Sequence, residues 1–125
     1  MFHKNHEKLE SFLGTNTVFK GEIETRGTLR VEGTIEGNIN ADWVIVGEKS
    51  HINGDITARG IVVGGRVDGN LKGKDIVEIK NKGQIHGQIF TSKLSIVEGA
   101  IFDGKSSMHA EEAKIIELQT KEKAR

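Results

Sequence analysis

The chain has 125 residues, with 18 Lys plus Arg balanced by 18 Asp plus Glu, 16 Gly, and no Pro, Cys or Tyr. One ordinary domain fits this length, zero net charge removes the simplest electrostatic case for a nucleic-acid partner, and the lack of Cys excludes disulfides and thiolate zinc sites. No apolar run approaches a membrane span or the core of a signal peptide, so the composition reads as a soluble, cytoplasmic chain.

Residues Met1–Asn16 read as a flexible N-terminal tail. Lys4 and Lys8 stand against Glu7 and Glu10, and Phe2, Leu9, Phe12 and Leu13 supply its apolar side chains. A polybasic anchor would need more positive charge. Burying Phe2, at about 150–250 Å² and roughly 25 cal/mol per Å², yields a few kcal/mol, too little to hold one copy on a bilayer. Joining many copies makes each later contact effectively intramolecular, so assembly and membrane binding would support one another. The other reading is a leader whose Phe12 and Leu13 cover whatever follows.

From Thr17 to Met108 the chain repeats itself. The pattern apolar-x-Gly-x-apolar occurs at Phe19-x-Gly21-x-Ile23, Ile35-x-Gly37-x-Ile39, Ile52-x-Gly54-x-Ile56, Val67-x-Gly69-x-Leu71 and Ile85-x-Gly87-x-Ile89. An imperfect sixth copy anchors on Ile101, with Gly104 one place late, and the steps between anchors are 16, 17, 15, 18 and 16 residues. A second apolar pair precedes most anchors, for example Val44 and Val46, or Val77 and Ile79. Period-two alternation turns these apolar residues to one face and Glu22, Asn38, Asp55, Asn70 and Gln88 to the other.

A helix here would carry fifteen glycines, each costing about 0.5–1 kcal/mol relative to Ala. The period instead predicts an all-β solenoid, a parallel β-helix of about six short coils around a narrow column of Ile, Val and Leu. Stacked strands at about 4.8 Å make it a rod near 30 Å long. Glycine serves its corners. Proline is missing because each inner coil donates N–H groups to one neighbour and accepts from the other.

Residues His109–Arg125 form a charged C-terminal tail suited to a short, frayed helix, with Ala110, Ala113, Ile115, Ile116 and Leu118 among four basic and four acidic residues.

The repeats resemble those of the bactofilins, bacterial polymer-forming cytoskeletal proteins. The resemblance rests on Gly33-Thr34-Ile35-Glu36-Gly37-Asn38-Ile39, on Gly83-Gln84-Ile85-His86-Gly87-Gln88-Ile89 and on the closing Ile96-Val97-Glu98-Gly99-Ala100-Ile101-Phe102-Asp103-Gly104. It implies a right-handed β-helix between disordered tails, assembling into filaments without a nucleotide or other cofactor. Such filaments scaffold cell-shape and envelope machinery at the inner face of the cytoplasmic membrane. The opening Met1-Phe2-His3-Lys4 is similar to the membrane-targeting start of many members, which gives Met1, Phe2 and Lys4 that role by resemblance. The tail departs from the frequent Pro-rich pattern, since the chain has no Pro.

The ends of such a rod also favour assembly. Each end of a β-helix exposes unpaired backbone groups over an apolar cross-section. Monomeric solenoids cover these with polar capping repeats. None is visible here, since the first repeat opens with Val18 and Phe19 and the last carries Ile101 and Phe102. These four residues are the candidate polymerisation interface, because contacts that recur at both ends without closing a ring give an open filament. Aligned on Ile101, Phe102 takes the outward place of Lys20, Glu36, Asn53, Asp68 and His86, though the extra residue before Gly104 leaves its direction open. The alternative is that it folds over the end as a lid within one chain. In the family an aromatic residue of this closing motif is linked to assembly.

Residues 15–60 sum to −2 and residues 61–108 to +2. This asymmetry favours head-to-tail stacking mildly, whereas the resemblance implies like ends meeting like. Screening over about 8 Å leaves the decision to packing of the end coils.

Enzymatic readings fit less well. Left-handed hexapeptide β-helices keep a strict six-residue step, which the drifting repeat does not. Gly64-Gly65 lacks the Gly-Lys-Ser/Thr of a phosphate loop. His51 and His86 could pair on a metal only with a third ligand that the sequence does not offer. The expectation is therefore no catalysis, no metal, no cofactor and no nucleic acid. The expected partners are further copies of the chain, membrane lipid through the N-terminal tail, and client proteins the sequence does not name. The alternative is a non-polymerising β-helical module that presents a rigid face to one protein partner.

Overall fold

A computed structural model describes residues 9–108 and 114–118. Among these residues fifteen strands pair exclusively in parallel, each with the strand one repeat away, so the chain winds as a solenoid of about six turns. Each turn lays strand segments on three faces.

The first face stacks β2 (Val18–Lys20), β5 (Thr34–Glu36), β8 (His51–Asn53) and β10 (Arg66–Asp68), then the first halves of β12 (Gln84–Thr91) and β14 (Ile101–Met108). The second stacks β3 (Ile23–Glu24) and β6 (Ile39–Asn40). Above them lie the opening residues of β9 (Ile56–Val63) and β11 (Leu71–Ile79) and the later halves of β12 and β14. The third face runs β1 (Leu9–Leu13), β4 (Thr28–Val31), β7 (Trp43–Val46), the later halves of β9 and β11, β13 (Lys93–Val97) and β15 (Lys114–Leu118).

Register converts the repeat into columns. Ile35, Ile52, Val67 and Ile85 stand over one another and are fully buried. Ile39, Ile56, Leu71 and Ile89 do the same on the second face, and Leu29, Val44, Ile61, Val77 and Leu94 on the third. Such stacking buries most of each β-branched side chain against its own kind. At this density, removing one side chain from a mid-column site costs about 2–5 kcal/mol.

The corner between the first two faces explains the invariant place of glycine in the repeat. Gly54 has φ +156°, and a Cβ there would run into the carbonyl of Gly37 in the coil beneath. Beside this column a polar ladder follows the same pitch. Asn38 Oδ1 accepts from the Asp55 N–H at 3.0 Å, Asp55 Oδ1 from the Asn70 N–H at 3.0 Å, and Asn70 Oδ1 from the Gln88 N–H at 3.1 Å. Corner N–H groups that the sheets leave over are thereby satisfied.

Two expectations change. The ladder passes both ends of the 17–108 span, because β1 pairs with β4 and β15 pairs with β13. Lys114–Leu118 is thus a strand where a helix was expected: the open edge of β13 offers backbone partners that outweigh the helical spacing of Ile115, Ile116 and Leu118. The last coil is also registered one residue later than the Ile101 anchor implies. Phe102 aligns with Ile85, Asp103 with His86 and Gly104 with Gly87, so the sixth repeat is Phe102-x-Gly104 and needs no insertion.

Candidate functional site

The two ends of the rod are built from neighbouring columns of the first face. Its inward column reads Phe19, Ile35, Ile52, Val67, Ile85, Phe102, with an aromatic ring at each terminus. The outward column beside it reads Val18, Thr34, His51, Arg66, Gln84, Ile101. It is polar through the middle coils and aliphatic only at its ends, where Val18 is 62% exposed and Ile101 48%. The structure therefore brings the four sequence-predicted residues together in two pairs, Val18 with Phe19 and Ile101 with Phe102, one pair per end.

Phe102 itself points inward. Its aromatic side chain is half-buried against Ile85's column, which corrects the outward placement that the Ile101 anchor gave it. An aromatic ring ending an inward column has one face against the core and the other toward whatever follows the last coil.

The N-terminal cross-section also uses residues that the repeat did not flag. Leu13, Phe19 and Ile23, one from each face, are partly buried and pack on the core from below. Leu13 arrives there because β1 lies under β4, with Leu13 in register with Val31. Of the two residues read as a possible cover for the first coil, Leu13 takes that place, while Phe12 turns outward and is 54% exposed. At the opposite end Ala100 and Phe102 pack on the core, and Ser106 stands over Ile89. Met1, Phe2 and Lys4 lie outside the described residues.

Side-chain chemistry along the first face consists of ion pairs within and between coils. His51 Nε2 meets Asp68 Oδ2 at 2.7 Å, with Arg66 Nε 3.0 Å from the same oxygen. The His51 hydrogen bond is the largest influence on Asp68. Together with Arg66 it holds that carboxyl below the usual carboxylate range, against the upward push of partial burial. His86 stands over Asp68 in the ladder and has Nδ1 3.6 Å from Asp103 Oδ2. His51 and His86 thus each face a carboxylate, and no group of three or more metal-ligating side chains gathers among the described residues. Arranged this way, the pairs lock successive coils together.

Comparison with known proteins follows the same lines. A family model described as bactofilin, polymer-forming cytoskeletal, matches residues 11–107. Bactofilin BacO of Myxococcus xanthus strain DK1622 is 32% identical over 101 residues, which are 80% of this chain and 80% of BacO. Bactofilin BacP of the same organism is 27% identical over 97 residues, 77% of this chain and 40% of BacP. Among solved structures, a cryo-EM reconstruction of Thermus thermophilus bactofilin double helical filaments superposes with a TM-score of 0.74. It is 24% identical, with 80% of this chain and all of the other covered, and shows the shared fold.

Proposed function

This chain belongs to the bactofilin family of polymer-forming cytoskeletal proteins, and on that premise we propose that it is a scaffold whose rods join end to end into filaments without nucleotide. The observation that carries the reading is the column from Phe19 to Phe102. It is apolar along its whole length and closes at each end on a half-buried ring, with an exposed aliphatic residue alongside. Apposing two such ends buries Val18 or Ile101 and covers the rings, while the edge N–H and C=O groups of the terminal coils gain partners. Among the described residues neither end carries a polar capping coil, and a contact that does not close a ring propagates.

The filament is proposed to lie at the inner face of the cytoplasmic membrane and to organise cell-shape or envelope machinery. The family resemblance of Met1-Phe2-His3-Lys4 supports this, together with the way a polymer multiplies a weak apolar anchor. Purified full-length chain without nucleotide, followed by light scattering and negative-stain microscopy, tests the assembly. Filaments are expected, and a monodisperse particle near 13.7 kDa favours the non-polymerising module instead.

A further inference from the structure

The large apolar side chains exposed among the described residues are Phe12, Val18, Phe90 and Ile101. Three of them belong to the end coils already described. Phe90 does not. It stands in coil five on the second face, 46% exposed, in the outward column that runs Glu24, Asn40, Thr57, Lys72, Phe90, Ser107. Every other member of that column is polar. A lone exposed ring needs no explanation by itself, but the surroundings of this one do.

Lys72 and Phe90 are in register one coil apart and form a ridge with an open cleft on either side. One cleft, of about 390 Å³, runs toward coil three and is lined by Thr57, Ala58, Gly73 and Lys74. The other, of about 330 Å³, runs toward coil six past the buried Leu71 and Ile89 and reaches Lys105 and Ser107. Each cleft is as large as a small ligand pocket. No Asp or Glu lines either of them, and Lys72, Lys74 and Lys105 have no ion-pair partner among the described residues. Carboxylates of the adjoining corners are engaged elsewhere, Asp75 with Arg59 at 3.3 Å and Asp55 with the Asn70 N–H at 3.0 Å. An apolar ridge is therefore flanked by three uncompensated positive charges, with one lysine in the ridge and one in each cleft.

We propose that this flank of coils four to six docks a short acidic segment of a partner protein, in which one aromatic or aliphatic side chain stands between carboxylates. The apolar side chain covers Phe90 and removes both from water. Carboxylates on its two sides reach Lys74 and Lys105 across the clefts, with Lys72 between them. Single-stranded nucleic acid also stacks on aromatic rings, but it follows a continuous track of positive charge. Here the same column turns to Glu24, and Asp55 stands at the adjoining corner. A bilayer pressed against the ridge leaves the clefts beside it empty, whereas peptide side chains fill them. The inference gives the proposed scaffold a class of client, and rests on that reading only in taking the partner to be a protein. Docking is read on rods of any length, so its failure leaves end-to-end assembly standing.

Fluorescence anisotropy of the labelled peptide Asp-Glu-Phe-Glu-Asp against the full-length chain tests it, with Asp-Glu-Ser-Glu-Asp and Lys-Lys-Phe-Lys-Lys as controls. The first peptide should bind about tenfold or more tightly than either control. Its margin over the basic peptide should vanish at about 1 M salt, where the screening length falls to about 3 Å. Phe90→Ser, and separately Lys72→Glu with Lys105→Glu, should each weaken its binding about tenfold while β-sheet circular dichroism is kept. The double reversal should bind the basic peptide instead. Equal affinity of the parent chain for the acidic and basic peptides overturns the proposal without any variant having to fold. Acidic-peptide binding that neither substitution weakens also overturns it. So do substitutions that leave peptide binding unchanged but abolish co-sedimentation with anionic vesicles, binding of an oligothymidylate or self-assembly, which assign the ridge to lipid, nucleic acid or another copy of the chain.

Discussion

Phe19 and Phe102 terminate the same inward column, one beneath Ile35 and the other above Ile85. A core that ends on aromatic rings has its largest apolar side chains where a globular protein would place polar caps. Phe102→Arg puts a charge over the exposed end of that column while leaving the coils beneath intact. The variant should keep its β-sheet circular dichroism but raise the concentration needed for filaments by about tenfold or more, at about 1.4 kcal/mol per tenfold. Phe102→Leu should restore assembly, since it returns apolar surface. Long filaments of the Arg variant at unchanged concentration would show that this end takes no part in the joint.

Two glycines of one column separate backbone strain from steric contact. Gly21 and Gly54 have φ of +134° and +156°, so an alanine at either is strained by about 1–3 kcal/mol. At Gly54 the new Cβ also meets the Gly37 carbonyl, whereas at Gly21 it meets only the Phe19 ring at 3.7 Å. Gly54→Ala is therefore expected to lower the melting temperature well beyond Gly21→Ala. Equal losses in thermal denaturation would mean that the coils do not stack as closely as described.

Asp68 makes stability depend on acid. Its folded-state pKa lies below the ordinary value, so ionisation is favoured more in the folded rod than in the unfolded chain. The resulting contribution is complete above the unfolded pKa and disappears as the pH falls through the folded one. Since the pair with His51 faces solvent, the amount should not exceed about 1 kcal/mol. The gap in melting temperature between the parent and Asp68→Asn should be widest near neutrality and close in strong acid. A gap that persists unchanged in strong acid would place the effect of Asp68 in packing instead of charge.

Removing Met1–Lys8 tests the membrane reading. With filaments still forming, the truncated chain should co-sediment less with liposomes than the full-length chain does. Unchanged co-sedimentation would exclude the segment as the anchor.

Much of this architecture was legible in the sequence because a solenoid writes its geometry directly into spacing. The apolar-x-Gly-x-apolar unit at Ile35, Ile52, Val67 and Ile85 fixes two faces and the corner between them in a single motif. The last coil was misread because Ile101, an apolar residue at an outward position, competed with Phe102 as the anchor. Counting back two residues from Gly104, as in every earlier repeat, selects Phe102. Strands β1 and β15 escaped for another reason. Neither Leu9–Leu13 nor Lys114–Leu118 carries the repeat, and what makes them strands is the open edge of β4 or β13 supplied by residues far along the chain. The cationic surroundings of Phe90 were not legible in the spacing, since Lys72, Lys74 and Lys105 meet around that ring through register alone.

The strands lie across the rod, so their hydrogen bonds run along it. Within a subunit, every boundary between coils is crossed by three sheets, and three of these boundaries also carry the Asn38, Asp55 and Asn70 side-chain bonds. A pull on the two ends of the proposed filament therefore loads these bonds lengthwise, many sharing the force at each level, and the stiffness is that of the hydrogen-bonded ladders. The joint between subunits has no covalent crossover to carry the load past it. Under tension such a cable parts at its joints and leaves each link whole, so broken pieces come in whole numbers of subunits and keep ends able to join again.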